Sequence, residues 1–330
     1  MENPIISVIV VNFNGRHLLL DCLESLRRQT YRDREIIFVD NGSTDSSVPW
    51  VRQQFPEMRI VELPENLGFA GGNAAGLKVA EGDLIALLNN DARPAENWLE
   101  QLVAPMLRDP KIGICASKLL IDGSDKINSA GDGITTAGVG FNRGLHRPTG
   151  SYCSSDLVFG ACGAAVLYRR RMIEEIGFLD EDFFLYDEDT DLNFRAQLAG
   201  WKCVYVPDAI VRHKMNATSK RLSDLQVYYH TRNLEFVWIK NMPGGLILRF
   251  LHHKLIQEIG AFFYLCIRHA KYRAFFRAKR DALRLMGKMW AKRREIQRQR
   301  RVPIFYIKEI LTPVFAGELI RQKMRQLFHG

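Results

Sequence analysis

In the stretch FFLYDEDTDL (183–192), the carboxylates Asp187, Glu188, Asp189 and Asp191 fall within five positions, directly after an aromatic run. Like charges this close repel each other and raise one another's pKa. Part of the cluster has a structural reading. Thr190 or Asp189 caps a helix predicted from about 190 to 199, with Asp191 in its first turn facing the positive end of the dipole. Asp187 and Glu188, beside Phe183, Phe184 and Tyr186, are not accounted for in that way. A carboxylate partly desolvated among like charges is a stronger base than a free one. The pattern argues for a general base and does not pick one of the four.

Other polar clusters follow apolar runs of strand length. VDNGSTD (39–45) places Asp40 beside Asn41 and Gly42, where its carboxylate can accept hydrogen bonds from a ribose or a base edge. A turn with Ser43 or Thr44 capping the next helix is the plainer reading. LLNNDARP (87–94) sets Asn89, Asn90 and Asp91 at the end of an apolar strand. Oxygen ligands of this kind suit Mg²⁺ or Mn²⁺ bound jointly with a phosphate. The alternative is a helix start, with Arg93 and Pro94 opening the helix. His213 stands between Arg212 and Lys214 after the run AIV; a neutral imidazole beside a metal aspartate makes a mixed N/O site. A lone histidine is more often surface or core than ligand. ENLGFAGGNAAG (65–76) is glycine-rich but lacks the spacing of either common phosphate-binding loop.

The elements that must position these groups alternate. Apolar runs at 7–13, 35–40, 58–63, 83–88 and 112–117 are separated by helical spacing at 19–26, 45–55, 71–80 and 95–107. Strand, helix, strand at this rhythm predicts βαβ units in a mainly parallel central sheet flanked by helices, an α/β fold. Ligands of such sheets bind at the carboxyl ends of the strands, where NFNG, DNGSTD and NNDARP lie. Residues 121–150 predict an excursion of loops or a hairpin. A buried strand follows, then a helix near 170–176, and 201–213 predicts two short strands. From about 222 the pattern is helical, with two short apolar helical pieces after Pro303 and Pro313.

Charge divides the chain. From Lys240 onward there are 21 Lys/Arg against 5 Asp/Glu, a net +16, which leaves −7 for residues 1–239 of the overall +9. Two parts follow: a catalytic-type domain over 1–239 and a basic amphipathic helical region over 240–330. The arginines of the second part alternate with Phe250, Phe262, Phe263, Tyr264, Phe275, Phe276 and Trp290. That composition suits attachment to an anionic membrane surface, with helical packing on the core or a nucleic-acid surface as the other readings. The longest uncharged apolar run there, IGAFFYLCI, has nine residues, short of the ~20 needed to span a bilayer. The six cysteines show no C-x-x-C, so no disulfide or zinc site is expected. A strand begins within about five residues of the N-terminus, so no signal peptide is expected.

Taken together, SVIVVNFNG, VDNGSTD, NLGFAGGNAAG, LLNNDA, FGACGAAVLYRR, GFLDEDFFLYDEDTDLNFRAQLAGW, VRHK and YYHTRNLEFVWIKNMP resemble the family 2 glycosyltransferases. These are inverting enzymes of GT-A fold, and the match is close to the rhamnosyltransferase-like branch of bacterial surface polysaccharide synthesis. The resemblance covers about residues 5–240. It implies that Val10, Asn12 and Asp40 contact the nucleotide base and ribose. It also implies that Asn66, Gly68, Phe69, Asn73 and Asn90 lie along the sugar nucleotide. Asp91 and His213 would hold Mg²⁺ or Mn²⁺ on the diphosphate, and Asp189 would be the base. Glu188 and Asp191 would shape the acceptor pocket or the pKa of the base. Asn89 stands where the family's D-x-D motif has its first acid.

Inverting transfer requires a base for the acceptor hydroxyl and stabilisation of the departing diphosphate. It requires no covalent nucleophile, and no G-x-S-x-G is present. The resemblance implies a nucleoside-diphosphate sugar donor, dTDP-rhamnose or a UDP-hexose, and a lipid-linked saccharide acceptor. It places the enzyme peripherally on the cytoplasmic face of the bacterial inner membrane, with no nucleic acid as partner. A nicotinamide dehydrogenase is excluded because NFNGRHLL follows the first strand where G-x-G-x-x-G is needed. A non-catalytic GT-A-like scaffold binding membrane or nucleic acid is the alternative, disfavoured by Asp91, Asp189 and His213.

Overall fold

The computed structural model describes residues 3–214 and 222–317. The first half runs β1 (Ile6–Asn12), α1 (Leu19–Arg27), β2 (Arg34–Asp40), α2 (Ser47–Gln54), β3 (Arg59–Glu62), α3 (Gly68–Val79), β4 (Leu84–Leu88), β5 (Ala92–Pro94), α4 (Trp98–Arg108) and β6 (Ile112–Ile121). Next come β7 (Ile127–Ala130), β8 (Asp132–Thr135), β9 (Gly140–Asn142), β10 (Asp156–Val158), β11 (Ala165–Arg169) and α5 (Arg170–Ile176). A 3₁₀ turn over Glu181–Phe183 then leads to α6 (Glu188–Ala199) and β12 (Lys202–His213). The rest is α7 (Asp224–Asn241), α8 (Gly244–Phe262), a π-helical turn (Phe263–Arg268), α9 (Tyr272–Arg298), α10 (Ile304–Ile310) and β13 (Leu311–Thr312).

The main sheet has the order β10-β12-β6-β11-β4-β1-β2-β3, with β5 added on β12 and β7 on β6. Strands β1 to β4 are mutually parallel, as are β6 and β12, while β11 runs antiparallel between β4 and β6. The continuous apolar strands are explained by cover on both faces. Ile6, Val8 and Val10 pack with Leu19, Leu23, Trp98 and Leu102 from α1 and α4. Ile9, Val39 and Leu87 pack on the opposite face with Ala70, Met172, Leu192 and Ala196 from α3, α5 and α6. The parallel half brings the carboxyl ends of β1, β2 and β4 to one edge, so Asn12, Asp40 and the segment 89–91 converge.

Some sequence expectations change. Ala92–Pro94 is a strand, not a helix start, and the helix opens only at Trp98. Pairing with β12 accounts for this: the register sets Ala92 opposite His213 and Pro94 opposite Val211. The two short strands expected over 201–213 are one strand, with its irregularity taken up by a register shift between Val206 and Ile210. The excursion at 121–150 contains β7 and the β8–β9 hairpin. The apolar piece expected after Pro313 extends beyond residue 317, outside the described residues.

The C-terminal helices share the core. Phe183 and Phe194 pack with Phe236, Leu246, Met289 and Ile307 in a third apolar cluster, and β13 pairs in parallel with β8. Among the described residues no helix is long and apolar enough to cross a membrane.

Candidate active site

Strand register, not sequence proximity, builds the first half of the site. With Ala92 opposite His213, the His213 Nε2 lies 3.2 Å from Asp91 Oδ1, and the Lys214 amide donates to the Asp91 carbonyl at 3.1 Å. On its other side, His213 Nδ1 is 2.8 Å from Asn128 Oδ1. An amide oxygen can only accept, so Nδ1 carries a proton, and in the neutral ring the Nε2 lone pair is the one that faces Asp91. Two ligands on neighbouring positions of an octahedral ion with bonds of about 2.1 Å sit about 3 Å apart. The Asp91–His213 pair therefore fits a small divalent cation, with Asn128 fixing the tautomer from behind. Asn89 Nδ2 also reaches toward His213 Nε2, at 3.4 Å.

The second half is the acidic stretch. Its turn is strained: Phe184, Tyr186 and Asp187 all have left-handed φ, at 64°, 70° and 67°, each a conformation that disfavours side-chain-bearing residues. Two neighbours on α7 hold it. Asn233 Nδ2 lies 2.7–3.0 Å from the carbonyl oxygens of Phe183, Leu185 and Tyr186, and Arg232 donates to the carbonyls of Asp182 and Phe183. The opposing surface allows the close approach because residue 68 is glycine. At φ +72°, a Cβ there would collide with the Phe184 carbonyl.

The four acids then part company. Asp187 is the residue before α6 and makes no capping bond; its Oδ2 meets His230 Nδ1 at 2.8 Å, and its charge raises the His230 pKa. The expected cap by Thr190 or Asp189 is absent, since α6 already begins at Glu188. Asp191 is fully buried and bonded to Arg195 Nε (2.8 Å), Asn241 Nδ2 (2.8 Å) and Lys240 Nζ (2.7 Å). Burial works to raise its pKa, but Lys240 and Arg195 prevail and hold it low. It is a structural anchor between α6 and α7, and its assignment to the acceptor pocket is corrected accordingly.

Asp189 and Glu188 differ from both. Asp189 Oδ2 accepts from the Gly163 amide at 2.8 Å, and Oδ1 from the Thr190 amide at 2.7 Å. Burial raises its pKa, the Gly163 bond counters this, and the Asp187 charge raises it further. Burial, with the charges of Asp189, Asp187 and Asp191, pushes Glu188 well above the usual range. One buried Glu188 oxygen has no hydrogen-bond partner, as expected of a group waiting for a ligand hydroxyl.

A third acid enters that the sequence did not single out. Oxygens of Asp132 and Asp189 and the Cys162 sulfur all lie within 4.8 Å of one another. Burial, and then the Asp189 charge, push the Asp132 carboxyl up to about 7. Asp132 sits on β8 and Asn128 on β7, both inside the excursion for which the sequence predicts loops or a hairpin.

Adjacent residues tie the two halves together. Gly163 donates to Asp189, while Ala164 accepts from the Asn89 amide at 2.9 Å. Phe69 lies against the same loop, since a Cβ on Gly163 would sit 3.3 Å from its ring and 3.4 Å from Asp189 Oδ2.

On the β1–β2 side, Asp40 Oδ2 accepts from the Ser43 amide at 2.9 Å, and its buried Oδ1 is left without a partner. Asn41, not singled out from sequence, bonds Asn66 Oδ1 and the Gly68 carbonyl and accepts from the Leu67 amide. Asn73 holds the Phe69 carbonyl at 2.9 Å. Asn12 is fully engaged by Ser43, Ser47 and Asn90, so Asn12 and Asn90 fasten the strand ends. Val10 is not brought to the site. The two-residue side-chain period of the strand turns it into the core with Leu19 and Trp98, fully buried.

This fold is the GT-A fold of glycosyltransferases. Solved structures that share it include a mannosyltransferase from Pyrobaculum calidifontis in complex with GDP-Man and Mn²⁺. It aligns with TM-score 0.54 and 18% identity over 93% of this chain and 86% of that one. TarS 1–349 of S. aureus aligns with TM-score 0.53 and 16% identity over 89% of each chain. The glycosyl transferase family 2 model matches residues 7–177, and the chain belongs to that family. Among characterised relatives, an N-acetylglucosaminyl-diphospho-decaprenol L-rhamnosyltransferase of Mycobacterium tuberculosis is 27% identical over 247 residues, 66% of this chain and 78% of its own length. The O-antigen biosynthesis protein RfbC of Myxococcus xanthus is 27% identical over 231 residues, which are 66% of this chain and 18% of that protein.

Proposed function

We propose that the chain is an inverting, metal-dependent sugar transferase of cell-surface polysaccharide synthesis. It moves a hexosyl or rhamnosyl group from a nucleoside-diphosphate sugar to a hydroxyl of a lipid-linked saccharide. The observation that carries this reading is Asp189. It is a half-buried carboxylate with a raised pKa, fixed by the Gly163 amide one residue from the contact that fastens Asn89 beside Asp91 and His213.

In this reading Asp189 takes the proton of the acceptor hydroxyl as the oxygen attacks the anomeric carbon, and the nucleoside diphosphate leaves from the opposite face. Glu188, its pKa held well above the usual carboxylate range by burial and the neighbouring acids, meets an acceptor hydroxyl at its unpartnered oxygen and orients it. Asp40 takes a ribose or base hydrogen bond on its unpartnered oxygen. Asn41, Asn66 and Asn73 hold the segment 66–73 against the donor. Asp91 and His213 would hold Mg²⁺ or Mn²⁺, an ion that, when bound, offsets the charge of the departing diphosphate.

The donor preference rests on the relatives. The mycobacterial protein is named for rhamnosyl transfer to a decaprenyl-diphosphate-linked sugar, which supports dTDP-rhamnose first and UDP-hexoses next. A screen of nucleotide sugars by released nucleoside diphosphate, with and without Mg²⁺ or Mn²⁺, tests the reading. Asp189→Asn should lose on the order of 10²–10⁴-fold in turnover while retaining donor binding. Full turnover in that variant would remove Asp189 as the base.

A further inference from the structure

We propose that the outer face of α8 and the π-helical turn after it is a docking surface for an anionic lipid bilayer. Leu248, Leu251, Leu255, Ile259, Phe263 and Ile267 recur every three or four residues along 248–267. All are exposed, with Leu248 at 78%, Phe263 at 59% and Ile267 at 67%. A stripe of this length, about 30 Å of helix, is far more apolar surface than a solvated helix presents.

The inner face fixes which side looks outward. Leu246, Phe250 and Lys254 are buried, and Lys254 Nζ lies 3.2 Å from Glu235 on α7 and 2.8 Å from Glu258. Rolling the helix to hide its outer leucines would pull Lys254 away from Glu235. At the far end the surface continues onto α9, where the Phe276 ring is 6.3 Å from Phe262, with Tyr272 and Phe276 50% and 57% exposed.

Charge selects the occupant. Between residues 244 and 277 there are six Lys/Arg and one acid. Arg249, Arg268 and Arg273 are exposed and form no ion pair among the described residues. A second copy presenting the same face would set arginines against arginines. An anionic leaflet accepts both the apolar stripe and the cations. No described helix is suited to crossing the membrane, so α8 lies in the plane of the surface.

The site follows the helix. His253 Nδ1 on the inner side is 2.8 Å from Thr136 Oγ1, in the turn of the β8–β9 hairpin whose first strand carries Asp132. Docking then brings a lipid-linked acceptor to the side of the molecule that holds Asp189, a consequence that rests on the transferase reading.

The test is flotation of the full chain with phosphatidylcholine vesicles with and without 30 mol% phosphatidylglycerol, without donor, so that binding is read apart from catalysis. The wild type should bind the anionic vesicles at least tenfold more tightly. Leu255→Glu/Ile259→Glu/Phe263→Glu should weaken that binding at least tenfold. Arg249→Gln/Arg268→Gln/Arg273→Gln should weaken it on the order of 100-fold, at about 1 kcal/mol per cation. The arginine variant touches no core position and decides the matter if the acidic variant fails to fold. Wild-type protein that does not float, or variants that float equally well, would overturn the proposal. A vesicle-free dimer that the acidic substitutions dissociate would overturn it too, assigning the face to a second copy. Vesicle binding without any sugar transfer would count against the transferase reading alone.

Discussion

Replacing Asp132 by asparagine separates the two acids that meet beside Cys162. Asp132 Oδ1 accepts from Ser129 Oγ at 2.8 Å and Asn142 Nδ2 at 3.0 Å, whereas Asp189 receives two backbone amides. The amides favour charge on Asp189, while burial and the Asp189 charge push Asp132 up to about 7. The proton therefore resides on Asp132 below neutrality and Asp189 remains the carboxylate, a division of roles set by environment. A carboxyl raised from about 4 in the unfolded chain binds its proton more tightly when folded. The associated stability is present at low pH and is lost as pH rises through 7. At 1.36 kcal/mol per pH unit, the loss between pH 5 and pH 8 is about 2.5 kcal/mol. Asparagine keeps the shape and cannot ionise. The unfolding free energy of Asp132→Asn relative to wild type should therefore rise by about 2.5 kcal/mol over that interval, measured by urea titration at each pH. The acid limb of the transfer-rate profile should stay in place, because Asp132 is already neutral at the pH where Asp189 takes up its proton. Parallel pH dependences of stability in the two proteins would refute the shared-proton argument.

Other perturbations address the supports of the site. Asn128→Ala should weaken Mn²⁺ binding by about 10–100-fold, read by calorimetry, since His213 loses the acceptor that fixes its tautomer; an unchanged affinity would remove that role. Lys240→Met leaves Asp191 and Asp180, now 2.7 and 2.6 Å from Lys240 Nζ, buried without their shared cation. It should cost about 3–5 kcal/mol, and a loss below about 1 kcal/mol in thermal unfolding would show the network to be dispensable. Asn233→Ala frees three carbonyls of the strained turn and should cost about 2–3 kcal/mol, with turnover falling more than donor affinity. Equal losses in both would mean that the turn supports the whole cleft and not the acid site.

The parts of the molecule legible in sequence are those governed by local pattern. Strands β1 to β4 and helices α1 to α4 were visible because buried parallel strands read as continuous apolar runs and surface helices as 3.6-residue stripes. Asp40 and Asp91 stand out because they follow apolar runs of strand length, whereas Asp189 is picked from among the four clustered acids only by the family resemblance. What escaped depends on pairing across long separations. Asn128 and Asp132 reach the site through hairpins whose residues show no period, and His213 meets Asp91 only through the register of β12 against β5. Val10 illustrates the converse error: it shares a strand face with Asn12 but lies two residues back from the strand end, where that face is covered by α1 and α4. Asn233 lies in a motif visible in the sequence, YYHTRN, but its function depends on three carbonyls of a strained turn 47 to 50 positions earlier.

The crowding of acids at 187–191 resolves once the helix is taken into account. Asp187 and Asp191 are four residues apart and share one side of the first turn, and that side faces α7, which supplies His230 to one and Lys240 to the other. Asp189 falls on a different side, where its partners are the neutral amides of Gly163 and Thr190. His230 and Lys240 of α7 thus engage two of the four acids, so the turn is stable enough to form. They do so at a remove from Asp189, whose basicity depends on having no cation in contact. A lysine brought beside Asp189 would stabilise the turn further and lower the pKa that a base requires. The separation of paired acids from unpaired ones, on different sides of one helical turn, is what lets four carboxylates in five residues serve both folding and proton transfer.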